Sequence, residues 1–365
     1  MKILLLDNSS LTPVGDDYCI EPKTGAFAQE LYSLGNEVTM YGQKVTESNT
    51  IHSYKLFENG LKVTGLKRKR NKLWNYLLLY IRIIPEIIKA DFVYIFYPTS
   101  YRYVAIMSWL MRTKYGIYIR GEQGIMSKLS HFIYNKAHAV FTVTNQFTSY
   151  VNNITSKEHA YTIRPMIPYT EKDVISDREY KVAEQFKILY LGRVTDDKGI
   201  MELMQAVKLL KEKNYNFELT VVGDGGFMPD IREFIQNHQI DDTVRLIGAI
   251  DDSTLVAHYY KSSDIYILPT YHEGFPRTLY EAMIFGTPII TTFVGGIPGL
   301  MKDGFNCKEI KPKSVQSIVE RLEFAFNNYD KMIEYAKNGF KTVIPVIDSK
   351  RASHAEQLTK IIRAK

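Results

Sequence analysis

Arg193 and Lys198 flank "RVTDDK", a loop that closes on Gly199 where a helical stretch begins. A guanidinium binds phosphate oxygens bidentately, an ammonium acts as a point charge, and the open N–H groups of a helix start add donors, so this loop suits a diphosphate. The plainer alternative is a solvated turn in which Asp196 and Asp197 pair with the two cations. Further on, "LPTYHEGFPRTLYEAMIFGTPIITT" places Glu273 before an apparent helix and Glu281 inside it. Helical side chains lean toward the N-terminus, so Glu281 is expected to point back toward the loop of Glu273, where the helix dipole favours negative charge and a carboxylate can accept two bonds from a vicinal diol. A helix-capping acid beside a surface acid is the other reading of this pair. Pro276 is expected in the first helical turn, where its missing N–H costs nothing.

Such residues need elements that bring their loops together. From Lys187 onward, "KILYLG", "FELTVVG", "VRLIG", "DIYILP" and "IITT" alternate with helical stretches, and the first half repeats the theme with "KILLL", "EVTMYG", "ADFVYIFY", "YGIYIRG" and "AVFTVT". Short β-branched runs alternating with helices predict parallel sheets covered on both faces, an α/β class with two doubly wound domains. Expected boundaries are 1–165 for the first domain, 166–185 for a proline-containing, charged connector, 186–345 for the second domain and 346–365 for a final helix, with packing back on the first domain as one option. In open α/β sheets ligands bind beyond the carboxyl ends of the strands. The loops "GRVTDDKG", "GDGG", "TYHEGFP" and "FVGGIPG" all follow strands.

Several classes are excluded or weakened. "GDGG", Gly223 to Gly226, lets backbone approach a ligand, but position 228 is Met where the dinucleotide fingerprint has its third glycine, and no Walker-type phosphate loop occurs. The eight histidines form no metal-ligand spacing, and only His272 lies near the suggestive loops. Cys19 and Cys307 are too few for a disulfide framework or zinc knuckle, so a reducing compartment, the cytoplasm, is expected. At 365 residues, with 45% hydrophobic and 24% charged, the chain has the composition of a soluble globular protein large enough for two cores. "MKILLLD" is too short for a signal-peptide core and reads as a first buried strand. A net charge of +6, spread along the chain except at Lys67, Arg68, Lys69, Arg70 and Lys72, is no nucleic-acid signature.

Taken together, "GRVTDDKG", "GDGG", "EGFPRTLYEA", "GTPII" and "GGIPG" resemble family four of the retaining glycosyltransferases, with its E-x7-E motif, strongly from about Phe186 to Asn306 and more weakly before. The resemblance implies the GT-B fold, two Rossmann-like domains facing across a cleft, and transfer of a hexose-type sugar from a nucleotide-diphospho-sugar to a glycan or lipid-linked acceptor in surface-polysaccharide synthesis. It implies no cofactor and no metal. Arg193 and Lys198 would hold the diphosphate and stabilise it as leaving group, Glu273 would contact the donor sugar, and Glu281 the ribose. Donor contacts are further implied at Gly192, Gly223, Gly225, Gly274, Phe275 and Pro276, and at Gly25 in the loop after the first strand. Retention is expected by front-face attack beside the departing phosphate. An epimerase of the same fold and a non-catalytic nucleotide-sugar binder are the alternatives.

The chain departs from the family pattern at Gly299, where an acid is common, at Cys307, where glycine is commoner, and at Arg120, where many members place a histidine. An arginine is no proton acceptor at neutral pH. Arg120 either binds an anionic acceptor or pairs structurally with Glu122. "KRKRNKLWNYLLLYIRIIPEIIK" joins a basic cluster to an apolar helical stretch, either a core helix after a charged loop or a patch that docks on anionic lipid, which would place the protein on the inner face of the membrane.

Overall fold

The computed structural model describes residues 1–7, 10–45, 52–121, 124–181 and 184–364. The chain divides into two compact units, Met1–Met166 with Lys350–Lys365, and Ile167–Ser349.

The first unit contains β1 (Lys2–Leu6), β2 (Thr12–Val14), β3 (Asp17–Ile20), α1 (Pro22–Ser33), β4 (Glu37–Lys44), β5 (Tyr54–Lys55), β6 (Lys62–Lys67), α2 (Lys72–Lys89), β7 (Phe92–Tyr97), α3 (Arg102–Leu110), β8 (Lys114–Ile119), α4 (Lys128–Lys136), β9 (Ala139–Thr142), α5 (Asn145–Thr155) and β10 (Ala160–Thr162). Seven of these strands form a sheet in the order β10-β9-β8-β7-β1-β4-β6, with parallel pairings. Side chains alternate across it. Ile3 and Leu5 of β1 pack with Phe27 and Leu31 of α1, whereas Leu4 and Leu6 pack with Leu79, Ile83 and Ile87 of α2, so the strand reads as one unbroken apolar run. A small antiparallel sheet, β2-β3-β5, pairs two strands that lie between β1 and α1 with a third that follows β4, and the sequence reading contained no sign of it.

The second unit runs β11 (Phe186–Leu191), α6 (Ile200–Glu212), β12 (Phe217–Val222), α7 (Met228–Asn237), β13 (Val244–Gly248), α8 (Ser253–Ser262), β14 (Ile265–Leu268), α9 (Arg277–Ile284), β15 (Ile289–Thr292), β16 (Lys308–Ile310), α10 (Val315–Asn327) and α11 (Tyr329–Ile347). Its strands, again paired in parallel, are ordered β13-β12-β11-β14-β15-β16. Helix α6 shows why it packs: Ile200, Leu203, Met204, Val207 and Leu210 are fully buried at the spacing of one helical face.

One stretch behaves differently from its sequence reading, and the final helix takes the option named for it. From Ile167 on, the charged segment read as a connector is part of the second unit. Arg178 donates to Tyr260 O, Phe285 O and Ser263 O, at 3.2, 2.9 and 2.6 Å, satisfying carbonyls where α8 and α9 end. The last helix, α12 (His354–Arg363), lies in the first unit, where Arg363 donates to Leu34 O at 2.7 Å and Asn36 donates to Thr359.

Candidate functional site

Topology fixes where a site can form. In the second unit the strand order reverses between β11 and β14, so the loops after these two strands open side by side at the carboxyl end of the sheet. After β11 the Tyr190 hydroxyl donates to Arg193 O at 2.7 Å and Val194 is fully buried, which pins the loop from below. A single 3-10 turn, Asp196–Lys198, then carries Lys198 inward. Gly199 takes φ +65 and begins α6; a Cβ there would stand 2.1 Å from Pro269 O, so glycine allows the two loops to touch.

Lys198 is 6% exposed. Its Nζ forms an ion pair with Glu273 Oε1 and donates to Thr270 Oγ1 at 3.4 Å and His272 O at 3.3 Å, while Asp197 Oδ2 stands 3.7 Å away. Thr270, fully buried, also lies 3.4 Å from Glu273 Oε1. Burial pushes the Asp197 carboxyl up, but the Thr195 hydroxyl bond and the charges of Lys198 and Arg193 outweigh it and hold it below its ordinary value. Arg193 is exposed, and its guanidinium makes no ion pair within 4 Å among the described residues. Lys198 is thus buried rather than solvated, although its pairing with Asp197 is the one the turn reading expected, and Arg193 is left as an open cation on the rim of the same loop. His272 is exposed and contributes only its carbonyl.

The glycines join loop to loop. Gly223, at φ +148, would place a Cβ 1.8 Å from Gly192 O, and Gly225 would place one 2.2 Å from Val194 O. Gly274 O accepts from Gly296 N at 2.7 Å, tying the loop after β14 to the one after β15. Phe275 is buried with its ring 4.5 Å from that of Tyr280. Pro276 stands one position before the first helical residue, as N-cap of α9, rather than inside the turn; the geometry suits its fixed φ equally.

Glu281, fifth in α9, is 5% exposed. What holds it is Tyr260 of α8, whose hydroxyl donates to Glu281 Oε2 at 3.2 Å and to Thr278 O at 3.1 Å. Burial, reinforced by the Glu281 charge, pushes the Tyr260 phenol far above its ordinary range and keeps it a donor.

In the first unit the strand order reverses between β1 and β7. Asp7, just past β1 and 3% exposed, accepts from Thr24 Oγ1 at 3.2 Å and from Arg120 Nη1 at 3.1 Å. To reach it from the end of β8, the Arg120 guanidinium lies 5.2 Å from the centre of the Phe96 ring of β7. The described partner of Arg120 is thus Asp7; Glu122, named from sequence, lies outside the described residues. Gly25 is not in a loop. It is buried in the first turn of α1, where a Cβ would stand 2.3 Å from the Tyr54 ring, so its missing side chain is filled by protein.

Sequence reasoning missed Asp7, Thr270 and Tyr260. The first two carried a usable signal, since Asp7 ends "KILLLD" and Thr270 follows "DIYILP", both at strand ends. Tyr260, in the last turn of α8, is one of 26 tyrosines and carried none.

Residues 171–342 match the family of glycosyl transferases group 1. Over 147 residues the chain is 31% identical to an uncharacterized glycosyltransferase of Methanocaldococcus jannaschii, covering 39% of this chain and 37% of that one. Over 164 residues it is 30% identical to the capsular polysaccharide biosynthesis glycosyltransferase CapM of Staphylococcus aureus, covering 44% of this chain and 42% of the relative. The matches therefore span less than half the length of these relatives. Among solved structures, Anabaena HepE in complex with UDP and glucose aligns over 100% of both chains with a TM-score of 0.71 at 17% identity. That likeness establishes the fold, GT-B with two Rossmann-like halves.

Proposed function

We propose that the protein is a retaining glycosyltransferase that moves a hexose-type sugar from a nucleotide-diphospho-sugar to a hydroxyl of a glycan or lipid-linked acceptor in surface-polysaccharide synthesis, and that it needs no metal. One observation carries the reading: a buried lysine, Lys198, paired with Glu273 at the strand-order reversal of the second sheet, next to the exposed Arg193 and the start of α6. Breaking an anomeric C–O bond puts negative charge on the diphosphate and positive charge on the sugar ring. Fixed cations at the first and a carboxylate at the second lower the barrier for both. Arg193 receives the diphosphate from the rim, and Lys198 neutralises it from below, the part a divalent ion plays elsewhere. Glu273 orients the sugar hydroxyls, and Glu281, held by Tyr260, binds the ribose. CapM, by its name, works in capsule synthesis, and HepE was solved with UDP and glucose, which supports a glycan product and a nucleotide-sugar donor for this chain too. On the acceptor side, Arg120 takes an anionic group while Asp7 fixes its orientation. A lipid-linked acceptor is met at an anionic membrane face.

The test is release of nucleotide from a panel of UDP-, GDP- and ADP-sugars, with and without acceptor glycans. Glu281→Gln should weaken donor binding about tenfold with turnover nearly kept, whereas Glu273→Gln should leave binding and lower turnover about a hundredfold. Turnover equal to the parent in both variants, or conversion of the donor without any acceptor, would overturn the reading.

A further inference from the structure

Helix α2 carries two apolar faces, and only one of them has a partner. Asn75, Leu79, Ile83 and Ile87 are buried against the sheet. Leu73, Trp74, Leu77, Ile81, Ile84 and Ile88 are exposed, at 82, 60, 49, 54, 37 and 67%. At about 100° per residue these six fall within one arc of about 100°, directed away from the buried stripe. Contiguous apolar surface of this kind on a folded protein marks an interaction site. Lys89 and Arg82 lie about 60 and 80° beyond that arc, and Trp109 and Leu110 of α3 are exposed as well. The Tyr80 and Tyr103 rings, 6.0 Å apart, join the two helices.

From the end of β6 to the first residue of α2, Lys67, Arg68, Lys69, Arg70 and Lys72 are all exposed, and none of them forms an ion pair among the described residues. Five open cations leading into an apolar stripe select the occupant. A second copy of this chain paired through the stripe would cover the apolar side chains but bring no counter-charge to the five cations. An anionic bilayer satisfies both parts, with phosphate headgroups on the cations and acyl chains on the stripe. None of the described helices is long and apolar enough to cross a membrane, so α2 would lie in the interface plane.

We infer that the outward face of α2 and the Lys67–Lys72 cluster dock the first unit on an anionic lipid surface. The inference gives the proposed lipid-linked acceptor a place to be met, but the docking itself is measured without donor or acceptor. Its failure and that of the transferase reading are therefore distinguishable.

The chain has two tryptophans; Trp74 is on this face, and Trp109 of α3 packs edge-on against Phe132 of α4, so a change in intrinsic fluorescence on docking is read from Trp74. The full chain is mixed with vesicles of phosphatidylcholine alone or phosphatidylcholine with phosphatidylglycerol, and sedimented. The expected result is a blue shift and co-sedimentation with the anionic vesicles, reduced about tenfold or more in Leu77→Glu/Ile81→Glu and in a variant with the five cations changed to Gln, while nucleotide release with a soluble acceptor is unchanged. Equal binding of parent and Leu77→Glu/Ile81→Glu would overturn the inference. So would absence of binding to either vesicle, or a dimer in solution that Ile81→Glu converts to monomer.

Discussion

Lys198 and Glu273 form an ion pair in which the lysine is almost fully buried and the glutamate side chain keeps 19% of its surface. The two come from loops after strands that lie side by side only because the sheet order reverses there. Taking a charge out of water costs several kcal/mol unless its partners are fixed, and here Thr270, His272 O and Asp197 complete the shell. A double-mutant cycle follows. Lys198→Met should leave Glu273 without its cation, lower the melting temperature, and slow nucleotide release about ten- to hundredfold. Lys198→Met/Glu273→Gln should recover most of the stability and none of the rate. Recovery of both would mean the pair is structural only.

Thr270 touches both members of that pair with one hydroxyl. Thr270→Val keeps the shape and removes the polar contact, so it should lower kcat by about tenfold or less with the donor KM unchanged, and Thr270→Ser should restore it. A positioning role predicts that split; a packing role would move the melting temperature and leave kcat alone.

Gly223 meets Gly192 backbone to backbone, and its φ of +148 is outside the range of L side chains. Gly223→Ala must therefore push apart the loops after β11 and β12, an expected loss of about 3 kcal/mol in denaturant unfolding. Gly226→Ala, where a Cβ meets nothing within 4 Å, is the control and should change stability little. Equal effects at the two positions would show that the close approach is not what glycine serves here.

Periodicity made the two sheets legible, because strands buried on both faces, such as "KILLL" and "FVYIFY", have no alternation to confuse with a helix. Strand-end loops then pointed to Arg193, Lys198 and Glu273 before any contact was known. What stayed hidden depends on distant pairing. β2, β3 and β5 are two to four residues long and pair only with one another, so no period builds up in them. Gly25 reads like a ligand-approach glycine until Tyr54, far along the chain, fills its place. The segment from Ile167 looks like a linker because its apolar content is low, yet Arg178 anchors it through backbone carbonyls, which sequence does not display.

His354 begins the last helix and is buried among Phe27, Tyr94, Tyr118 and Phe141, with the Tyr94 hydroxyl 2.6 Å from Nε2. Burial lowers its pKa from 6.5 to about 3. As pH falls, the unfolded chain takes up this proton first, so the stabilisation is complete above about pH 6.5 and is lost progressively toward pH 3. At about 1.4 kcal/mol per pH unit, the parent should lose roughly 2 to 3 kcal/mol from this group between pH 6.5 and 4.5. His354→Gln keeps an acceptor for Tyr94 and removes the titration. Denaturant unfolding of both proteins across that interval should give a shallower pH slope for the variant, with carboxylates cancelling in the difference. Parallel slopes would mean that the imidazole is already protonated in the fold, paired with a group other than the aromatic cage around it.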